Sequence, residues 1–198
     1  VVLEPLMQGA AGMWPQPVAY LREVRALTRR YDTLLVCDEV ATGFGRTGRL
    51  FACDHTATTP DLLVLGKGLT GGYLPLAATL ATEEIFRAFL GPYDGYTAFF
   101  HGHTFTGNAL ACAAAVGAIG AMHDEGTVPA AARLGADLLG PGLAKLAENH
   151  ASVGDVRGIG GLWTLELVGD RETKEPLVPV GATGAANAPM SAVAKACI

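Results

Sequence analysis

The stretch that decides the fold is residues 33–48, which reads T-L-L-V-C-D-E-V-A-T-G-F-G-R-T-G. It opens with an uninterrupted apolar run that ends at Asp38, and a second such run, Leu62–Leu65, ends just before Lys67. Short continuous apolar runs are typical of parallel strands covered on both faces. A helical period over Val18–Tyr31 precedes them. Because strands alternate with helices, the sequence predicts an α/β fold with a mainly parallel sheet.

The rest of the chain continues this alternation and then changes character. The further predicted elements are a first strand over Val1–Leu6, a strand over Leu76–Leu80, a helix capped by Thr82, helices over Asn108–Glu125 and Pro129–His150, and a last, weakly patterned helix over Pro189–Ile198. Residues 153–168 predict a new β element. We therefore expect residues 1–150 to form part of a large domain and residues 151–198 to begin a small, truncated C-terminal α+β domain.

Composition narrows the class of protein. The 198 residues carry a formal net charge of -5 and no Lys/Arg cluster, which argues against a nucleic-acid partner. The longest uncharged run, residues 105–122, contains Thr106, Asn108 and many small residues, so we predict a buried helix and no membrane span. Four cysteines without metal-ligand spacing predict buried thiols and a reducing, cytoplasmic location.

Residues 43–48 match the pattern G-x-G-x-x-G, which raises the possibility of an NAD-dependent oxidoreductase. A dinucleotide-binding turn must follow its strand directly and open a helix. Here residues 38–42 separate the strand from the first glycine, and no helical period follows Gly48. We therefore interpret these glycines as a surface loop that needs positive φ angles.

Lys67 and Asp38 are the first candidates for chemistry, since both follow predicted strands at the edge where α/β sheets bind ligands. A desolvated lysine between two glycines can form imines with carbonyl compounds, although a solvated loop lysine has the same pattern. Asp38 and Glu39 should point to opposite faces, so at least one of them needs a cation, such as a pyridinium nitrogen. Asp38 could also simply cap a turn.

A second group of candidates precedes the long helix at residues 101–104, His-Gly-His-Thr. His101 and His103 could both face a metal, but no third ligand lies at a useful spacing, so we expect no metal site. The hydroxyl of Thr104 suits an anion such as phosphate at a helix N-terminus. Alternatively, Thr104 or Thr106 is an ordinary N-cap.

Together these segments resemble the class III pyridoxal-phosphate-dependent aminotransferases of fold type I. The resemblance covers about residues 1–168 and is carried by Glu4-Pro5 with Gln8-Gly9, by residues 35–48, by Pro60-Asp61 with residues 66–72, and by residues 101–108, H-G-H-T-F-T-G-N. It implies that the chain contains part of the large cofactor-binding domain of that fold and the start of its small domain.

The resemblance also implies roles for individual residues. Lys67 would bind pyridoxal 5'-phosphate (PLP) as an imine and later move a proton between substrate and cofactor. Asp38 would pair with the pyridine nitrogen, and Val40 would pack on the ring.

Three further roles are implied for the segment before the long helix. Gly102 matches a position that contacts the substrate. His103 and Thr104 match the segment that reaches the cofactor phosphate, usually across the interface of a homodimer with a shared active site. Some relatives carry proline at the position of His103, so the resemblance implies a role for the backbone of His103 and not for its side chain.

Within the family, residues 50–55, 74–80 and 100–115 resemble the biotin-pathway branch. That branch implies transamination of the small molecule 8-amino-7-oxononanoate to 7,8-diaminononanoate, with adenosylmethionine or lysine as amino donor. Ala10 supports this branch, because glutamate-coupled relatives often carry glutamate after Gln8-Gly9.

Other functions stay open at this stage. They are a class III aminotransferase for an ω-amino acid or diamine, the NAD-dependent oxidoreductase, and an inactive binding module. The chain opens on Val-Val-Leu and contains no recognisable substrate-carboxylate arginine of the family, so we expect a piece of a longer enzyme that is inactive alone.

Overall fold

The computed structural model describes residues 1–178 and residue 181. Its strands are β1 (Val2–Leu3), β2 (Met7–Gln8), β3 (Trp14–Pro15), β4 (Val36–Asp38), β5 (Leu62–Leu65), β6 (Ala78–Ala81), β7 (Val153–Ile159) and β8 (Leu162–Leu167). Its α-helices are α1 (Val18–Arg30), α2 (Glu83–Ala88), α3 (Ala109–Asp124), α4 (Thr127–Arg133) and α5 (Gly140–Asn149). The helix predicted over Pro189–Ile198 lies outside the described residues.

The main sheet, as far as the chain is described, has the strand order β1-β4-β5-β6. Strand β4 pairs in parallel with both β1 and β5, whereas β6 pairs antiparallel with β5. Cys37 is in register with Leu63, and Asp38 with Val64. The α/β fold with a mainly parallel sheet is therefore confirmed, and β4 and β5 end side by side.

One core cluster lies between β4 and α1. Leu21, Leu35, Cys37 and Cys53 are all buried there, and Leu21 belongs to the predicted apolar stripe of α1. Arg25 on the same helix binds Asp61 through two hydrogen bonds of 2.7 and 2.9 Å, which ties α1 to the start of β5.

A second core cluster lies under α3. Leu65 at the end of β5 packs with Phe44, Leu69 and Ala115. This cluster joins the glycine-rich loop, the turn that follows β5 and the small-residue face of α3. It places the N-terminal end of α3 beside the end of β5.

Two predicted elements differ from the structure. The first strand ends at Leu3 instead of Leu6, because Pro5 and the left-handed Leu6 (φ +63°) turn the chain. The single helix predicted over 129–150 is interrupted by a π-helical segment, Leu134–Leu139. There the backbone of Gly135 lies directly against the carbonyl of Gly160, so no side chain could stand at Gly135.

Strands β7 and β8 form an antiparallel hairpin with its own two-stranded sheet. The division into a large domain up to residue 150 and a small domain after it stays a prediction. Across the described ranges, no helix is both long and apolar enough to cross a bilayer.

Candidate active site

The glycine-rich loop at 43–48 is largely buried, so the interpretation of these glycines as a surface loop is wrong. Gly45 and Gly48 have φ angles of +87° and +90°, which confirms the need for positive φ. A Cβ at Gly45 would lie 2.9 Å from Cγ2 of Val128 in α4. The carbonyl of Arg46 accepts a hydrogen bond from the Gly161 amide at 2.8 Å. The loop is therefore a packing element between α4 and the β7–β8 turn, and it opens no helix for a dinucleotide.

Glu39 is fully buried and holds this loop in place. Its carboxylate accepts hydrogen bonds from the amides of Ala52 and Cys53, each at 2.8 Å, and from the Thr42 hydroxyl at 2.9 Å. Three donors on one carboxylate compensate for its burial without a cation. The sequence suggested a cation for Asp38 or Glu39, and the structure shows that Glu39 does not need one.

The same carboxylate affects a neighbouring thiol. The pKa of Cys53 is raised by its hydrogen bond with Cys37, by burial and by the negative charge of Glu39. Cys37 and Cys53 are buried free thiols, as predicted, whereas Cys112 is exposed.

Asp38 is half-buried at the end of β4 and lies on the face opposite Cys37, because side chains alternate along a strand. Its Oδ1 accepts a hydrogen bond from the Val40 amide at 3.0 Å. This is the turn cap that the sequence left open. A carboxylate has about four acceptor positions, so one such bond leaves capacity for a further donor.

Lys67 opens the turn after β5 with a strained backbone. Its φ of +43° is left-handed, a conformation that costs a non-glycine residue about 1–3 kcal/mol and is common at functional sites. The flanking glycines permit it: a Cβ at Gly66 would lie 3.3 Å from Val40, and one at Gly68 would lie 2.8 Å from Phe44. The exposed ammonium forms no ion pair with any residue of the described chain.

A cavity of about 1010 Å³ lies in front of this turn. It brings together three of the predicted site residues, Lys67, Val40 and His103. Gly102 and Thr104 are exposed and do not line it, and neither does Asp38, which stands two residues before Val40. The other lining residues are Gly66, Thr70, Gly72, Leu74, Pro75, Leu76, Ala77, Phe105, Thr106, Gly107, Asn108, Leu110 and Ala111.

Most polar groups of this cavity are already hydrogen-bonded within the chain. The Thr70 hydroxyl donates to the Leu74 carbonyl at 2.6 Å, and Thr106 accepts from the His103 amide at 3.2 Å. Asn108, not Thr104 or Thr106, caps α3 by accepting from the Ala111 amide at 2.9 Å. Lys67 is thus the group of the cavity best placed to react with a ligand.

His101 and His103 have no further metal-ligating residue near them. Over residues 1–178, no cluster of three or more His, Cys, Asp or Glu side chains could hold a metal ion. Phe99 packs against His101 with ring centroids 5.2 Å apart. Nδ1 of His103 accepts a hydrogen bond from the Phe105 amide.

Comparison with known proteins decides the family. The sequence model of the protein family "Aminotransferase class-III" matches residues 1–189 of this chain. This chain belongs to the class III aminotransferase family. The resemblance and the fold class predicted from the sequence are therefore both confirmed.

Two similar relatives are adenosylmethionine-8-amino-7-oxononanoate aminotransferases. The one from Nitratidesulfovibrio vulgaris is 51% identical over 183 residues, which cover 90% of this chain and 33% of the relative. The one from Staphylococcus aureus is 47% identical over 176 residues, covering 89% of this chain and 38% of the relative. This class III chain thus spans between a third and two fifths of such relatives.

Solved structures agree with this assignment. The adenosylmethionine-8-amino-7-oxononanoate aminotransferase from Methanocaldococcus jannaschii matches with a TM-score of 0.82 at 46% identity, covering 88% of this chain and 40% of that one. Taurine:2-oxoglutarate aminotransferase from Bifidobacterium kashiwanohense, solved with PLP and glutamate, has a TM-score of 0.80 at 35% identity, covering 96% and 41%.

Proposed function

We propose that this protein is the PLP-dependent aminotransferase of biotin biosynthesis, which converts 8-amino-7-oxononanoate to 7,8-diaminononanoate with adenosylmethionine or lysine as amino donor. The observation that carries the proposal is the unpaired, strained Lys67 at the mouth of a cavity shared with Val40 and His103. The relatives at 51% and 47% identity support the choice of substrate.

The residues present fit PLP. The cavity is large enough for a pyridine ring with a phosphate, and a primary amine stands at its edge. Lys67 would hold the cofactor covalently, Asp38 would pair with the ring nitrogen, and Val40 would pack against the ring. His103 and Thr104 would serve the phosphate, and Gly102 the substrate. When bound, PLP supplies an electron sink for negative charge at the reacting carbon.

Lys67 also has the chemistry to move protons. As general base and then general acid, its Nζ would take the proton from the amine-bearing carbon of the donor and, in the second half-reaction, would return a proton to C7 of the keto acid. Asp38 would offer its carboxylate to the ring nitrogen, which would favour the protonated nitrogen. No described carboxylate is paired with Lys67, so no fixed ion pair has to be broken before it acts.

The cavity walls suit an acceptor with an aliphatic chain. Leu74, Pro75, Leu76 and Leu110 line it, and the Thr70 hydroxyl and the Asn108 side-chain oxygen are bonded within the chain. Burying methylene groups against such a wall stabilises binding by about 0.8 kcal/mol for each CH₂. This supports a long-chain keto acid as the small-molecule substrate.

A homodimer with a shared active site is also part of the proposal. Large apolar side chains cluster on the surface before and along α3, where Phe100, Phe105, Leu110 and Val116 are at least 70% exposed. Exposed apolar surface of this kind marks contacts with other protein surface. A copy of the same enzyme is the occupant that we propose, because His103 and Thr104 match a family segment that usually reaches the phosphate across a homodimer interface.

Covalent labelling of the full-length enzyme tests the assignment of Lys67. Borohydride reduction of the PLP-loaded enzyme should fix the cofactor on Lys67, and Lys67→Ala should abolish that label. Exposed Lys145 provides the matched control, since Lys145→Ala should label like the native enzyme. Label that persists in Lys67→Ala refutes the assignment.

A substrate comparison tests the reaction. The enzyme should aminate 8-amino-7-oxononanoate in preference to simple ω-keto acids. The second candidate, an ω-amino acid or diamine aminotransferase, is favoured by neighbours such as the (S)-enantioselective omega-transaminase of Thermomicrobium roseum, with a TM-score of 0.79 at 37% identity. Activity with ω-amino acids and none with 8-amino-7-oxononanoate would select it.

A further inference from the structure

Arg157 in β7 is an arginine whose side chain is only 9% exposed. Two carboxylates of the hairpin neutralise it: Asp155 accepts from its guanidinium at 2.7 Å and Glu166 at 2.6 Å. The remaining donors of the guanidinium point away from the hairpin.

Those donors bind a distant segment of the chain. The Nε of Arg157 donates to the Met13 carbonyl at 3.1 Å, and one terminal nitrogen donates to the Gly12 carbonyl at 2.6 Å. The guanidinium carbon also stacks over the Trp14 ring, 4.4 Å from its centroid. Arg157 thus clamps residues 9–13, here named the first loop, through two carbonyls, and it stacks on Trp14, which directly follows that loop.

The first loop combines a closed turn with a strained backbone. The backbone amides of Gly12 and Met13 close its turn by donating hydrogen bonds to the Gly9 carbonyl, at 3.2 and 3.1 Å. Gly12 has a φ of +107°, and Met13 has a φ of +56°, which is unfavourable for a side chain. Strained backbone of this kind persists only where surrounding contacts over-determine it. Arg157 supplies such contacts.

The other side of the first loop lies beside Glu4 and Ala41. The Gly9 amide donates to a Glu4 carboxylate oxygen at 2.7 Å. The same backbone lies beside Ala41, since a Cβ at Gly9 would be 3.8 Å from the Ala41 Cβ. Ala41 directly follows Val40, which lines the cavity with Lys67. A shift of the first loop would therefore be transmitted through Ala41 to Val40.

We propose that Arg157 is a positioning residue for amino transfer, which fixes the first loop against Ala41, next to the cavity-lining Val40, and so sets the fit of the substrate. The kinetic part of this proposal rests on the proposed function, whereas the clamp itself does not. Lysine cannot replace Arg157, because one ammonium cannot bond two carbonyls and two carboxylates while it stacks on an indole.

Hydrogen exchange on the full-length enzyme without PLP tests the clamp. Arg157→Lys should speed the exchange of the Gly12 and Met13 amides about tenfold, since losing a charged hydrogen bond of about 1.4 kcal/mol or more has that effect. Exchange within α3 should not change. Exposed Arg133 gives the matched control, Arg133→Lys. Unchanged exchange at Gly12 and Met13 overturns the clamp, whether or not the enzyme makes diaminononanoate.

Kinetics of the PLP-loaded enzyme test the positioning role. Arg157→Lys should raise the KM for the amino acceptor about three- to tenfold, with kcat and the imine absorbance nearly unchanged. Trp14→Leu removes only the stacking and should give a smaller rise in KM, so the test does not depend on one variant folding. Faster loop exchange with an unchanged KM in both variants would reduce Arg157 to a structural residue and overturn the proposal.

Discussion

Two glycine-rich segments follow neighbouring parallel strands, and they serve opposite purposes. The loop at 43–48 after β4 is closed in by α4 and the β7–β8 turn, and buried Glu39 anchors it. The turn Gly66-Lys67-Gly68 after β5 opens onto the cavity. Glycine in a loop therefore indicates close backbone approach in both cases. What approaches, protein or ligand, depends on the side chains next to it.

The largest expected effect concerns the open turn. Lys67→Ala should lower kcat for transamination by more than about 10³-fold, because it removes both the covalent anchor and the proton carrier. The melting temperature should stay within a few degrees of the native enzyme's. Lys67 is exposed, and alanine at this position bears the same left-handed backbone strain as lysine. Steady-state kinetics and thermal unfolding measure the two. An active variant would remove the distinction between the segments.

The next effect concerns the anchor of the closed loop. Glu39→Ala should destabilise the protein by about 3–5 kcal/mol, because the buried amides of Ala52 and Cys53 lose their acceptor. Urea unfolding measures it. Asp38→Asn is the neighbouring control: it should leave stability within about 1 kcal/mol and reduce activity instead. Equal stability losses in both variants would contradict the separation of roles between these acids.

Two glycines with the same φ of +87° extend the comparison: Gly45 lies in the closed loop, and Gly72 follows the open turn. Gly45→Ala meets Val128 at 2.9 Å, whereas a Cβ at Gly72 has nothing within 4 Å. Both variants bear the backbone strain of about 1–2 kcal/mol, but only Gly45→Ala adds overpacking of about 1–3 kcal/mol. The difference between their unfolding free energies isolates the packing cost, and no difference would show that the loop can move away from α4.

The smallest effect is a pH dependence at His55, which hydrogen-bonds Thr47 of the closed loop. Burial, and then the positive charge of Arg49, lower the pKa of His55 below its ordinary value of 6.5. The unfolded chain therefore binds a proton more readily than the folded one, and stability falls as pH drops below 6.5. The substitution His55→Gln should reduce the change in unfolding free energy that is measured between pH 7 and pH 5. A slope that survives in that variant belongs to another group.

Periodicity and end signals predicted much of this architecture. Helix α1 and strand β5 were predicted almost residue for residue, because one has a clear apolar stripe and the other a continuous apolar run. The break at Leu134–Leu139 was missed, because its cause is the backbone of Gly160, which is remote in sequence. Local patterns do not contain contacts of that kind.

The site was predicted in part for a similar reason. Lys67 and Val40 meet at one cavity because strand register alone brings the ends of β4 and β5 together. Gly102 and Thr104 do not line the cavity, since the path of an exposed loop depends on what packs against it. The burial of Glu39 could have been inferred from the strand pattern, because residues two apart share a face and Cys37 faces the core. The clamp by Arg157 could not, because nothing local links residue 157 to residue 13.

The meeting of Gly48, Gly135 and Gly160 has a kinetic consequence. The backbones of a loop, a helix and a hairpin turn touch there without side chains between them. Such a contact closes very long stretches of polypeptide, and the entropy of loop closure must be overcome before any energy is gained. This junction should consequently assemble late, after α1 has already docked on its strands, and the nascent protein should stay sensitive to proteases around residues 43–48 until β8 has been synthesised.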